Sequence, residues 1–198
     1  MSSKHIILAS GSAGRKAMLE NAGVNFTVAP ADINEKAVVK SMADQPVTDI
    51  TSELAQQKAL HVSRANPDVL VIGSDQTLEF DGQLISKAKD ADDALKKLKS
   101  LRGQKHSLNS AVCVALNGAP VFSHIAQAHL TMHDLSDDFL ERYIAADTDA
   151  LTSCVGAYKI EGAGAWLFSQ IQGDVFTIMG MPLLPLLAFL RDEYQGHP

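Results

Sequence analysis

Val69-Leu70-Val71-Ile72 is an unbroken β-branched and leucine run, which predicts a strand buried on both faces. Gly73-Ser74 is expected to end that strand, and Asp75 follows at once. A carboxylate at the carboxyl end of a buried strand stands where open α/β sheets hold their ligands, and the glycine permits a close approach of backbone or phosphate. Asp81-Gly82 then offers a two-residue hairpin turn between Thr77–Phe80 and Gln83–Ser86, folding Lys87 back towards Asp75. An acid and an ammonium beside a glycine turn suit metal-assisted chemistry on a phosphate ester. The plainer reading of the same residues is a surface hairpin with an ordinary salt bridge.

With 198 residues, 46% of them apolar, the chain can bury a core as one domain or a domain with a small lobe. No apolar run approaches the roughly 20 residues that span a bilayer, and the first residues lack the apolar core of a secretory signal. A cytoplasmic protein without a membrane partner is expected. Cys113 and Cys154 form no CxxC pair, which argues against a metal cluster or a disulfide framework and for buried thiols. A net charge of -6 argues against a nucleic-acid surface, so a phosphate ligand must be met by local Lys and Arg or by a metal ion.

Ile6–Ala9 reads as a strand, broken by Ser10-Gly11-Ser12-Ala13-Gly14-Arg15 before a helix through Met18, Leu19 and Ala22. Ser12 is the expected N-cap. With Ser10 and Arg15, this turn can seat a phosphate on unpaired N–H groups, although such a turn is commonly a cap alone. Asn25–Ala29 reads as a second strand, and Pro30–Glu35 as a polar loop with solvated acids. A helix is expected from Val47, capped by Thr48 or Asp49 and stopped at Asn66-Pro67. Lys58 lies near its apolar stripe and either snorkels to water or enters a pocket as a phosphate ligand.

Asp90 is expected to cap a helix through Leu98 whose lysines form a solvated face, ended by Leu101-Arg102-Gly103. Lys105–Leu116 and Val121–Met132 flank Asn117-Gly118, a strong hairpin signal that adds antiparallel strands. His124, His129 and His133 lack metal-site spacing and read as half-exposed strand residues. A helix follows Leu135-Ser136, then a loop over Asp147–Ser153. Trp166-Leu167-Phe168 and Val175–Met179, separated by Gly173-Asp174, predict a hairpin. Pro182 opens a last helix with a wide leucine face.

Pieces in fixed order along nearly the whole chain resemble the Maf family of nucleoside triphosphate pyrophosphatases. They are Leu8-Ala9-Ser10-Gly11-Ser12 with Arg15, Glu35, Gln57-Lys58-Ala59, Gly73-Ser74-Asp75-Gln76, Asp81-Gly82 with Lys87, Leu101-Arg102-Gly103 with His106, Gly156-Ala157-Tyr158, Glu161-Gly162 and Gly180-Met181-Pro182-Leu183. The resemblance implies one Maf-like domain over residues 1–198, α/β in class, with a mixed, strongly twisted, Maf/ITPase-like sheet, flanking helices and a cleft between two lobes. It further implies hydrolysis of ordinary or modified nucleoside triphosphates at the α-phosphorus to monophosphate and pyrophosphate, cleansing the nucleotide pool, with a divalent cation such as Mg2+ or Mn2+ and a homodimeric assembly. By the same resemblance Asp75 is the proton acceptor, with Glu35 its partner in metal binding or water activation. Lys58 and Lys87 act in catalysis, while Ser10, Ser12, Arg15 and His106 bind substrate.

Base selection in the family is associated with places that fall here on Gly14, Gln76 and Glu161. Gln76 and Glu161 resemble the branch acting on 7-methyl-GTP, whereas Gly14 replaces the aromatic residue which that branch stacks on its base. Two other readings remain: a nucleotide-binding regulator of septum formation without turnover, and a phosphatase releasing orthophosphate from smaller esters.

Overall fold

A computed structural model describes residues 5–146 and 148–194. It is a mixed α/β architecture in which seven strands form one sheet with helices packed on it. The described residues fall into two compact units, the first within Met1–Gln76, Ser110–Ala126 and Gly180–Pro198, the second within Thr77–Asn109 and Gln127–Met179.

The first unit begins with β1 (Ile6–Leu8), whose three apolar residues are all buried. It pairs in parallel with β2 (Thr27–Val28) and with β3 (Leu70–Phe80), aligning Leu8 with Val28 and with Ile72. Parallel pairing requires crossovers, supplied by α1 (Ala13–Asn21) and by α2 (Glu35–Ser41) with α3 (Val47–Arg64). The strand expected over Asn25–Ala29 shrinks to two exposed residues.

The expected strand end at Gly73-Ser74 is corrected. β3 continues through both residues to Phe80, and what ends near there is β1, last paired where Leu8 meets Ile72. Asp75 therefore sits inside a strand, just past the parallel pairing. Gly73 serves packing instead of punctuation: a Cβ there would lie 2.3 Å from the Ala55 carbonyl oxygen and 2.4 Å from the Ala59 nitrogen, so α3 rests directly on the strand backbone. Ile50, Leu54 and Val62 on α3 are buried, each stabilising the unit by about 1.5–3 kcal/mol.

Two further expectations change in this unit. Glu35 is not in a loop but opens α2, because the Asn34 side chain accepts a hydrogen bond from the Ala37 N–H at 3.1 Å and caps the helix. α3 has neither Thr48 nor Asp49 as its cap; Pro46 precedes its first turn and no side chain caps it. The unit also holds the adjoining ends of β5 (Lys105–Leu116) and β6 (Ala119–Met132), with Asn117 and Gly118 at φ 51° and 74° in the expected hairpin turn, and α8 (Leu183–Tyr194).

In the second unit β3 turns through Asp81 and Gly82, both at positive φ, into β4 (Gln83–Ile85), with Phe80 opposite Gln83 as expected. α4 (Ala91–Leu101) is capped by Asp90, and α5 (Asp137–Ala146) follows Ser136. Leu98, Leu101, Leu108, Leu130, Leu140 and Leu167 lie in its core. The loop expected over Asp147–Ser153 is a helix, α6 (Thr148–Ser153), in which Ala150 is buried and Leu151 joins that core; Asp147 is outside the described residues.

The hairpin expected across Gly173-Asp174 is absent. β7 (Phe168–Gln172) pairs with β6, and Val175–Met179 forms α7, since the Asp174 carboxylate takes both the N–H and the hydroxyl of Thr177 and starts a helix. The lysines of α4 are not uniformly solvated either: Lys97 is half-buried and donates to the Val155 carbonyl at 3.0 Å and to the Ser86 carbonyl. Cys113 is buried and Cys154 half-buried, and both are free thiols. No helix among the described residues is long and apolar enough to cross a membrane.

Candidate active site

Alternation along β3 sends Gly73 and Asp75 to one face and Ser74 and Gln76 to the other. Because α3 lies against Gly73, Lys58, the residue before Ala59, reaches Asp75: its Nζ is 2.5 Å from Oδ1 of the acid. Both side chains are about nine-tenths buried, whereas Glu35, 2.8 Å from the same Nζ, is more than half exposed. One ammonium thus ties a buried carboxylate to a solvent-facing one. Lys58 does not snorkel; it spends its charge inside the unit.

Arg15 supplies the second buried cation. Its Nε donates to the Gly180 carbonyl at 2.9 Å and its guanidinium to Ser10 Oγ at 3.2 Å. Burial lowers its pKa, opposed by the nearby charges of Asp75 and Glu35, so all three groups share one field. Ser12 caps α1 through the Arg15 N–H at 3.4 Å, and the Ser12 N–H donates to Ser10 Oγ at 3.3 Å. On the other face of β3, the buried Ser74 hydroxyl lies within hydrogen-bond distance of the Ala111 and Gly180 carbonyl oxygens, at 2.8 and 3.2 Å. Gly180, at φ 110°, has room for its conformation beside Gln76 and Arg15: a Cβ there would lie 3.5 Å from Gln76 Oε1 and 3.8 Å from Arg15 Nε.

The remaining expected residues belong to the second unit. Lys87 and Glu161 are exposed. Burial raises the pKa of the half-buried Cys154 thiol and Glu161 adds to that rise, while Lys159 and Lys87 act in the opposite direction, so both expected ligands are felt at Cys154. His106 is 2% exposed and shares a 2.7 Å hydrogen bond with the Tyr158 hydroxyl, its ring also tilted against Phe168. Its Nδ1 is buried with no partner, and burial holds the imidazole down to a pKa of about 4. Asn109 is likewise interior, donating to Glu79 at 3.0 Å and accepting from Gln127 at 2.7 Å.

Against known proteins, the description "Maf-like protein" matches residues 5–193. The chain belongs to the Maf family. Curated relatives of this Maf chain include the 7-methyl-GTP pyrophosphatase of Brucella abortus biovar 1 (strain 9-941), 46% identical over 95% of this chain and 96% of the relative. The nucleoside triphosphate pyrophosphatase of Nitrobacter hamburgensis is 44% identical over 96% of this chain and 94% of its own length. Among solved structures, a HAM1 protein from Coxiella burnetii aligns at 16% identity with a TM-score of 0.44, over 67% of this chain and 74% of that one.

Within the Maf chain's first unit, Ser10 and Ser12 lie on the connection from β1 to α1, Gly14 and Arg15 come from α1, Glu35 from α2, Lys58 from α3, and Asp75 and Gln76 from β3. The Gly180 carbonyl, which accepts from Arg15, has no signature in the sequence, since a main-chain acceptor leaves none in residue type. Nor does the spacing of α4 single out Lys97, whose partner Val155 is distant along the chain.

Among the described residues, no group of three His, Cys, Asp or Glu could hold a metal ion. A hard cation of the Mg2+ kind keeps several waters and is commonly bound by one or two carboxylates together with substrate phosphates, a donor set that the carboxylates of Asp75 and Glu35 would suit.

Proposed function

We propose that this Maf protein is a nucleoside triphosphate pyrophosphatase that hydrolyses its substrate to the monophosphate and pyrophosphate with a divalent cation. The curated relatives named for that activity support it over almost the whole chain. The observation that carries it is the buried Lys58–Asp75 pair, joined by Glu35 and set in the field of Arg15. Two acids and two cations gathered from separate elements suit a metal-bound polyphosphate better than they suit a core, where replacing such a pair by apolar residues is often neutral or stabilising.

In this reading water attacks the α-phosphorus, the bond to the bridging oxygen breaks, and pyrophosphate leaves with that oxygen. Lys58 engages one oxygen of Asp75, and the second accepts the proton of the attacking water. Arg15, steadied by Ser10 and Gly180, and Lys58 stabilise charge developing on the phosphate oxygens, where exclusion of water makes fixed cations most effective. Asp75 and Glu35 would hold the cation, which supplies Lewis-acid neutralisation of the polyphosphate. Lys87 is a further phosphate ligand, and Gln76 and Glu161 choose the base. A glutamate offers a cationic methylated purine both charge and an acceptor, whereas Gly14 offers it no ring to stack on. We further place the protein in the cytoplasm as a homodimer.

The test is a panel of nucleotides including 7-methyl-GTP, dTTP and UTP, incubated with Mg2+ or Mn2+ and analysed for products. Monophosphate with equimolar pyrophosphate is expected, fastest from 7-methyl-GTP. Orthophosphate alone would replace this reading with a phosphatase, and tight binding without products with a nucleotide-binding regulator.

A further inference from the structure

The lysines of α4 have different fates. Lys96 is exposed and Lys99 pairs with Asp137 at 2.7 Å, but Lys97 turns inward and gives its ammonium to two main-chain carbonyls, those of Ser86 and Val155. Placing a half-buried charge on two neutral oxygens is an expensive way to solvate a lysine, since exposure to water would satisfy it at no cost. Burial lowers its pKa accordingly, with Asp93 acting in the opposite direction. Asp93 in turn accepts the Lys89 N–H at 3.0 Å, so the connection from β4 to α4 is fastened at Ser86 and again at Lys89.

What the two carbonyls adjoin gives this contact its meaning. Ser86 immediately precedes Lys87. Val155 precedes Gly156 and follows Cys154, the thiol that feels Lys87, Lys159 and Glu161 together. A cavity of about 510 Å3 opens beside the contact, lined by Ser86, Lys87, Lys89, Asp93, Lys96 and Lys97 among others. One ammonium therefore ties the strand end carrying Lys87 to the segment leading to Glu161.

We propose that Lys97 is a positioning residue: it clamps the Ser86 and Val155 carbonyls together and so fixes Lys87 relative to Glu161 without touching substrate itself. The inference rests on the functional reading for the roles of Lys87 and Glu161, but the clamp itself does not. Lys97→Met keeps the aliphatic stem and removes the donors.

Two readouts separate the clamp from the function. In the first, the folded protein is titrated with a thiol reagent: Cys113 is 1% exposed, so Cys154 reports, with Cys154→Ser as the blank. Lys97→Met is expected to speed Cys154 labelling severalfold and Lys97→Arg, which keeps charge and donors, to leave it near wild type. An unchanged rate in Lys97→Met overturns the clamp. In the second, KM for the nucleotide is expected to rise about tenfold, the loss corresponding to hydrogen bonds from a charged donor, with kcat little changed and Lys97→Arg restoring it. In a Lys87→Ala background Lys97→Met should add almost nothing to KM. Full multiplication of the two effects would show a general structural role and overturn positioning. A wild type that turns over no nucleotide would sink the functional reading, and the labelling result would still decide the clamp.

Discussion

Asp75 is held by an ammonium that has a second acid to turn to. In Asp75→Asn, Lys58 keeps Glu35 at 2.8 Å, so the buried cation is not orphaned and the unit should still fold. Turnover should nevertheless fall by about a thousandfold or more, within the range that positioned acid–base and electrostatic groups contribute. Circular dichroism against initial rates checks both halves, and near-normal rates would remove Asp75 from its role. His106 behaves differently, because its consequence is pH-dependent stability. Folded, the imidazole stays neutral down to about pH 4, while the unfolded chain protonates near the ordinary histidine value of 6.5. The unfolded state therefore binds the extra proton between those limits. Stability is complete above pH 6.5 and is lost as pH falls towards 4, by about 1.4 kcal/mol for each pH unit crossed. Denaturant titrations at pH 7 and pH 4.5 should show a smaller acid loss for His106→Phe than for wild type; equal losses would contradict a buried neutral imidazole.

At the scale of the element, the approach of α3 to β3 is what aligns Lys58 with Asp75, and Gly73 is what permits it. Gly73→Ala would put a methyl 2.3 Å from the Ala55 carbonyl oxygen and 2.8 Å from the Ala59 Cβ, with main chain on one side and no flexible side chain to yield. Forcing α3 outwards should cost about 1–3 kcal/mol, as overpacking does, and should lower kcat/KM as well by parting Lys58 from Asp75. A destabilised variant with full activity would show that the register of α3 on β3 does not set the site. The same residue shows what could be read beforehand. Gly73 was visible in the sequence, but a glycine inside an apolar run signals both a strand end and a close contact, and only α3 decides between them. Asp81-Gly82 and Asn117-Gly118 were legible because two-residue turns demand positive φ and these pairs supply it. α2 was not: it buries only Val38, so no apolar stripe announces it, and its local signals are the Asn34 cap and a charge of favourable sign at each end. α7 was misread because Val175, Thr177 and Ile178 favour strands by type while Asp174 caps a helix. The site residues were legible one by one through family resemblance. Their pairing was not, since nothing in the spacing of Lys58 and Asp75 states that a strand glycine lets one reach the other.

Taken whole, the chain carries a net charge of -6, and its first-unit site adds no positive field of its own, because Arg15 and Lys58 are matched by Asp75 and Glu35. A free polyphosphate approaching such a surface is repelled at long range, and the local cations are already engaged. Two outcomes follow for the proposed reaction. Chelation of the divalent cation should stop turnover, and Mg2+ should restore it, since only the metal makes the polyphosphate compatible with two carboxylates. Added salt should then act opposite to its usual effect on phosphate-binding proteins. At physiological ionic strength charges beyond about 8 Å are screened, so potassium chloride weakens the repulsion from the whole molecule while leaving the buried Lys58–Asp75 contact almost untouched. With free Mg2+ held constant and nucleotide well below KM, kcat/KM should stay level or rise between low salt and 0.15 M, a concentration at which that screening length applies. An enzyme that gathers its substrate through an electropositive surface would instead lose rate steeply over the same range. Such a fall would show that exposed lysines, with Lys87 the first to test by substitution, steer the nucleotide and outweigh the acidic balance of the chain.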